Sequence, residues 1–237
     1  MQCIKFVTND YMSPNTQFKP IDYSIVGVPI EEPNFAGVGA GICASGIHVI
    51  PISEDADLSH CLYSDQCIYL EVDEEDIIYR ENNGKMRCKK VTPMCNFNRE
   101  HPLWGVMVKN PTFAFNYARY VDKFGMDDTR KICSSNSASL AYSYAVEVDK
   151  KYPHDDTRNG CLNRSWYAGE YARWIDKVPR NDTRKAVCQN AEDAYSYAMY
   201  VDKCATPETR KACKSSRSLI MNVRYENAFG KPDNIYK

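Results

Sequence analysis

His48, in the stretch "GAGICASGIHVIPISEDA", is the side chain best suited by type to catalysis. An imidazole titrates near neutral pH and serves as general acid or base. It stands in an apolar run after glycines, where a histidine also serves simply by bonding a neighbouring strand or loop. Gly37, Gly39 and Gly41 precede it without spelling the dinucleotide fingerprint, and no helix follows at the required place. The nucleophile-elbow, phosphate-loop and HExxH patterns are absent. His60, Cys61 and Cys67, in "HCLYSDQC", come nearest to a metal cluster. Zinc usually takes four ligands in tighter pairs, and no CxxC occurs, so these read as packed thiols; neither a metal nor a cofactor is expected. The acidic run of Glu71, Asp73, Glu74, Glu75 and Asp76 reads as a solvated strand end.

A second set of charges recurs in register. Asp122, Asp149, Asp176 and Asp202 each follow a Val or Ile, and Arg130, Arg158, Arg184 and Arg210 each follow a Thr. Two chemistries fit. The pairs form a repeated salt bridge that fixes stacking, or the arginines form a row that grips a polyanion. An aspartate accompanies every arginine, and a neutralised ladder attracts phosphate poorly, so the structural reading is preferred. Lys123, Lys150, Lys177 and Lys203 read as solvated helix ends, where positive charge is favoured. Recognition of one partner belongs to positions that differ between copies: Arg119, Glu147, Arg173 and Met199.

These charges need elements to hold them. The copies read "AFNYARYVDK", "AYSYAVEVDK", "AGEYARWIDK" and "AYSYAMYVDK", with their tyrosines at Tyr117, Tyr144, Tyr171 and Tyr197, spaced 27, 27 and 26 apart. A second phrase follows each: "DDTRKIC", "DDTRNGC", "NDTRKAVC" and "PETRKAC". Four copies in register at two phrases predict a repeat architecture. Ala114, Tyr117, Ala118 and Val121 fall at i, i+3, i+4 and i+7, one face of a helix, and the later copies match. Asp127, Asp155, Asn181 and Thr206 are expected as N-caps of a second short helix, with Pro207 at its first position in the last copy. Cys133, Cys161, Cys188 and Cys213 should then point inward. One such hairpin cannot bury its apolar face alone, but stacked hairpins can.

The first 97 residues have a different grammar. "CIKFV", "DYSIVGVPI", "GIHVIPI", "CIYLEVD" and "IIYR" predict strands separated by turn residues. Asn83-Gly84 predicts a hairpin returning through "MRCKKVTPM", and "EDADLSHCLYS" predicts a short helix. The expected fold class is α+β: a small β-rich domain over 1–97, a linker or plug over 98–110 carrying Trp104, Val106 and Val108, a solenoid-like all-α array over 111–230 in repeats of about 27 residues, and a tail over 231–237.

The 30 basic and 31 acidic residues nearly cancel, which argues against a global footprint for nucleic acid or an acidic membrane. No apolar run approaches a membrane span, and the first residues do not form a secretory signal. Eleven cysteines without an export signal point to free thiols in a reducing, cytoplasmic setting.

Two likenesses add to this. The stretch from "CASGIHVIPISEDADLSHCLYSDQCIYLEVDEEDIIYR" to "KMRCKKVTPM", with Gly46, Ile47 and His48, resembles a small domain of uncharacterised tailed-phage and giant-virus proteins, and the "YA..VDK" helices look like short repeats in such proteins. The resemblance implies a viral protein acting in a host cytoplasm, with a host or viral protein as partner. The outline of "SGIHVIPISEDADLSHCLYSDQCIYLEVD" is also similar to ADP-ribosyltransferase folds. That likeness implies an NAD-using domain, with Glu71 as the catalytic acid and His48 near a nicotinamide ribose.

Overall fold

The computed structural model describes residues 1–13, 21–32, 46–53, 55, 56, 58, 64–80, 84–215 and 219–230. The chain is α+β: a seven-stranded antiparallel sheet followed by helices. It divides into two compact units, Met1–Ile132 and Cys133–Lys237.

The sheet of the first unit comprises β1 (Gln2–Val7), β2 (Ile30–Glu31), β3 (Ile47–Pro51), β4 (Gln66–Glu71), β5 (Ile77–Arg80), β6 (Met86–Cys88) and β7 (Lys90–Asn96), in the order β2-β7-β4-β1-β3-β6-β5. Side chains alternate between two buried faces, so the central strands read as nearly continuous apolar runs. Ile4, Phe6, Cys67 and Tyr69 pack with Trp104, Met107, Phe113 and Tyr117, from α1 (Trp104–Met107), α2 (Pro111–Asn116) and the turn after it. Cys3, Val7, Ile68 and Leu70 face the other way, onto Tyr23, Val49 and Val91. Segment 98–110 is thus folded: Trp104 and Met107 lie in the core of this unit.

Two strand expectations are corrected. "DYSIVGVPI" forms a strand only at its end. Residues 25–28 are bends and turns with Gly27 at φ +76°, and Ile25, Val26 and Val28 are exposed. "MRCKKVTPM" is two strands, not one: β6 pairs with β3 and β5, whereas β7 pairs with β4 and β2. Gly84 takes the positive φ expected of the hairpin, while Asn83, most of the predicted helix at 54–64, Gly37, Gly39, Gly41 and the tail at 231–237 lie outside the described residues.

The remaining helices are α3 (Asp127–Asn136), α4 (Ala138–Glu147), α5 (Asp155–Cys161), α6 (Ser165–Tyr171), α7 (Asn181–Val187), α8 (Ala191–Tyr197), α9 (Pro207–Ser215) and α10 (Leu219–Phe229). The division between the units falls inside α3. Three of the "YA" helices do not stop where their α-helical bonding stops. They continue as π-helix over Tyr117–Asp122, Ala172–Asp176 and Ala198–Asp202. In the remaining copy the Asp149 amide likewise donates to the Tyr144 carbonyl, a bond spanning five residues. Each run then breaks at a lysine with left-handed backbone: Lys123, Lys150, Lys177 and Lys203, at φ between +55° and +64°.

The π bonding explains a spacing present in every copy. Tyr117 and Asp122, Tyr144 and Asp149, Tyr171 and Asp176, and Tyr197 and Asp202 are all five residues apart. In an α-helix, neighbours on one face are three or four apart. A turn closed by i→i+5 bonds is wider, so the fifth residue returns beneath the first. Tyrosine and aspartate therefore face the same way, while alanines such as Ala168, Ala172, Ala194 and Ala198 are fully buried beside them.

Candidate functional site

The joints at α5 and α7 in the second unit are built from that tyrosine and aspartate. The Tyr171 hydroxyl lies 3.0 Å from Thr157 Oγ1, accepts from the His154 amide at 3.0 Å and reaches the His154 carbonyl at 3.0 Å. Tyr197 does the same with Thr183 at 2.9 Å and with the backbone of Arg180. Tyr225, in α10, meets Thr209 at 2.7 Å. The threonines are fully buried, so each hydroxyl pair satisfies polar groups that water cannot reach.

These contacts correct the expected caps. Asp155 and Asn181 are the first helical residues rather than N-caps; His154 and Arg180 hold the cap positions, without a side-chain cap bond. Asp127 likewise opens α3, and the Arg130 amide donates to the carbonyl of Met126 before it. At α5 and α7 the next repeat's tyrosine bonds the cap backbone. Asp127, Asp155 and Asn181 instead brace Arg130, Arg158 and Arg184 three residues on. Thr206 is as expected: its hydroxyl accepts from the Thr209 amide at 3.3 Å, ahead of Pro207.

The "TR" arginines reach forward to the next aspartate. Arg158 holds Asp176 at 2.8 Å and Arg184 holds Asp202 at 2.7 Å, and both aspartate side chains are only 1% exposed. Hydrogen bonding to those carboxylates holds both guanidinium groups still more firmly in the charged form. At the start of the series Arg99, which the sequence reading passed over, grips Asp122 with two bonds of 2.7 Å and also bonds Asp128. At the end, Arg210 donates to the Gly230 carbonyl at 2.9 Å. Asp149 is buried with His154 Nε2 at 3.8 Å. The arginines Arg158 and Arg184 are thus occupied in joints rather than displayed as a row.

Of the four residues expected to bind, Arg119 is exposed and stacks on Tyr120 and Phe115; Glu147 and Met199 are half-buried. Arg173 is the informative one. Its guanidinium lies 4.6 Å from the Trp174 ring centre and 4.1 Å from that of Tyr200 in the next repeat. It borders an open cleft of about 80 Å³ between α6 and α8. Trp166, Gly169, Glu170 and Arg173 line one side; Asp193, Ser196, Tyr197, Tyr200 and Val201 line the other. Each set follows the i, i+3, i+4, i+7 spacing of one helix face. Trp166, Trp174 and Tyr200 are 53%, 44% and 52% exposed. The Trp174 indole donates to Glu170 at 2.9 Å, and the Ser165 hydroxyl donates to Asp193 at 2.6 Å. The sequence did signal two of these rings: Trp174 and Tyr200 occupy the position that Tyr120 and Glu147 hold in the other copies.

The two candidates for NAD chemistry do not converge. β3 and β4 flank β1 on opposite sides, with Glu71 opposite Gln2 and Ile50 opposite Ile4. His48 lies two residues further along, which places it four residues from Glu71 along β1, about 13 Å, with two strand spacings between them. The His48 carbonyl accepts from Lys5 at 2.8 Å, and Glu71 accepts from the Tyr69 hydroxyl at 3.3 Å. Among the described residues no group of three or more His, Cys, Asp or Glu side chains is placed to hold a metal ion; His60 and Cys61 fall outside them, and Cys67 is buried in β4. No described helix is long and apolar enough to cross a membrane. Comparison with known protein families, curated proteins and solved structures found no match for this chain.

Proposed function

We propose that the helical repeats stack as a short solenoid and act as a protein-interaction module, with a host or viral protein as the partner. The reading rests on one observation: the rings Trp166, Trp174 and Tyr200 stay exposed around Arg173, while the same helices bury the alanines and tyrosines that the copies share at their packing face. Exposed tryptophan, tyrosine and arginine together are the composition of binding hot spots. Trp166 stands where the other copies carry Thr112, Ser139 and Glu192, so this set of rings is peculiar to one pair of repeats, as recognition of one partner requires. The alternative of an NAD-using N-terminal domain would need His48 and Glu71 at one ligand, and the sheet register keeps them apart.

The test uses the full chain, tagged and cross-linked in the cells that produce it. A Trp174→Ala/Tyr200→Ala variant is compared with Tyr152→Ala, which removes a ring that is 72% exposed and outside the cleft. A partner recovered with the parent chain and with Tyr152→Ala, and lost with the double variant, supports the reading. Equal recovery by all three, or recovery by none, would sink it.

A further inference from the structure

Gly169 occupies a position where the other copies carry an aromatic ring. In "AFNYARYVDK", "AYSYAVEVDK", "AGEYARWIDK" and "AYSYAMYVDK" the second residues are Phe115, Tyr142, Gly169 and Tyr195. Glycine is disfavoured inside a helix, so a reason is needed. Packing does not supply one. A Cβ built at Gly169 would meet only Val187 Cγ1, at an ordinary 3.5 Å, and the backbone φ is not left-handed. Gly160 shows what a packing glycine looks like in this unit: its Cβ would fall 2.5 Å from the Ser134 carbonyl oxygen and 2.7 Å from the Ala141 Cβ. What the missing ring leaves at Gly169 is the cleft itself, since Gly169 lines it.

The lining states the chemistry of an occupant. Two carboxylates, Glu170 and Asp193, face one guanidinium, so the cleft carries a net negative charge. Each carboxylate accepts one side-chain bond, from Trp174 and Ser165 respectively, out of about four lone-pair sites. The exposed rings of Trp166 and Tyr200 border the same space. Aromatic faces and carboxylates together favour a cation with an apolar stem. Arg173, seated between Trp174 and Tyr200, already shows a cationic side chain lying on one of them, Tyr200.

We infer that the cleft between α6 and α8 receives a lysine side chain of the partner protein, its stem against Trp166 and Tyr200 and its ammonium on Glu170 and Asp193, and that Gly169 keeps the cleft open for it. This rests on the interaction-module reading and narrows it to one chemistry.

The probe is octalysine, titrated against the full chain while tryptophan fluorescence is followed, with fully acetylated octalysine and octaglutamate as comparisons. Gly169→Tyr restores the ring of the other copies and closes the cleft; Glu170→Gln/Asp193→Asn keeps the shape and removes the charge. Expected are saturable binding of octalysine, none of the acetylated peptide, and at least tenfold weaker binding by both variants, with melting temperatures no lower than that of the parent chain. Should Gly169→Tyr fail to fold, the charge variant and Gly169→Ala decide the matter. Octalysine binding unchanged in the variants, no octalysine binding, or octaglutamate binding lost on Arg173→Ala would each overturn the assignment. If the partner is lost with Trp174→Ala/Tyr200→Ala while octalysine does not bind, the module stands and the lysine assignment falls.

Discussion

Asp176 and Asp202 are carboxylates with almost no exposure, each held by one arginine of the preceding repeat. Removing the partner of a buried charge costs far more than the pair itself contributes, because the remaining ion is left desolvated. Arg184→Ala should therefore lower unfolding free energy by about 3 kcal/mol in urea denaturation, the low end for a broken buried pair. Lys177→Ala, at an exposed position, should stay within about 0.5 kcal/mol of the parent chain. Equal losses would remove the ion pair from the account of the "TR" phrase. Lys177 has its own part, since its left-handed backbone closes the π-turn. Glycine adopts that conformation without strain, so Lys177→Gly should raise stability by up to about 1 kcal/mol. A drop in the melting temperature would mean that the lysine side chain, not its backbone, closes the turn.

At the scale of the element, the π-turn is the device that aims two unlike groups at one joint. A tyrosine hydroxyl and an aspartate five residues on both reach back to the neighbouring repeat. Tyr171→Phe would leave the His154 amide and the buried Thr157 hydroxyl short of a partner, which costs about 1–3 kcal/mol. Tyr152→Phe should cost nothing measurable, and thermal melts of the two variants side by side check this. Much of this element was legible beforehand. The alanine-tyrosine face follows from its period, and Ala141, Tyr144, Ala168, Tyr171, Ala194 and Tyr197 are all buried. The five-residue spacing of tyrosine and aspartate was equally visible four times over, yet α-helical periodicity gives it no meaning. The caps were misplaced by one residue because Asp155 and Asn181 have good capping side chains, but the carbonyls of His154 and Arg180 before them accept the first helical bonds, from the Arg158 and Arg184 amides. In the sheet, "DYSIVGVPI" has strand composition, but Gly27 turns it. The cleft was half legible: Arg173 stood out as variable, whereas Gly169 becomes informative only when the space beside it is seen.

At the scale of the whole molecule, the buried thiols and phenols make stability fall at high pH. Burial pushes Cys3, Cys88 and Cys161 up to about 12 and Cys213 up to about 11, from an ordinary value of 9.0. It also raises the phenols of Tyr171, Tyr197 and Tyr225. Above pH 9 the unfolded chain loses these protons while the folded chain keeps them, so their contribution is complete below that pH. It is lost as pH rises through the folded values. Urea midpoints should be flat from pH 7 to about 8.5 and then decline steeply toward pH 11; an unchanged midpoint at pH 10.5 would contradict the burial of these groups. The ends of the repeat series have a different consequence. Arg99 answers the first aspartate and a backbone carbonyl answers the last arginine, so neither end leaves a charge waiting. Excising Arg158–Thr183 would join Thr157 directly to Arg184, which still has Asp202 ahead of it, and would bring Tyr197 to Thr157. The chain is thus written in interchangeable lengths: a lineage can gain or lose a whole repeat by one in-frame event without orphaning a single ion, and so can change the reach of its surface faster than it changes any joint.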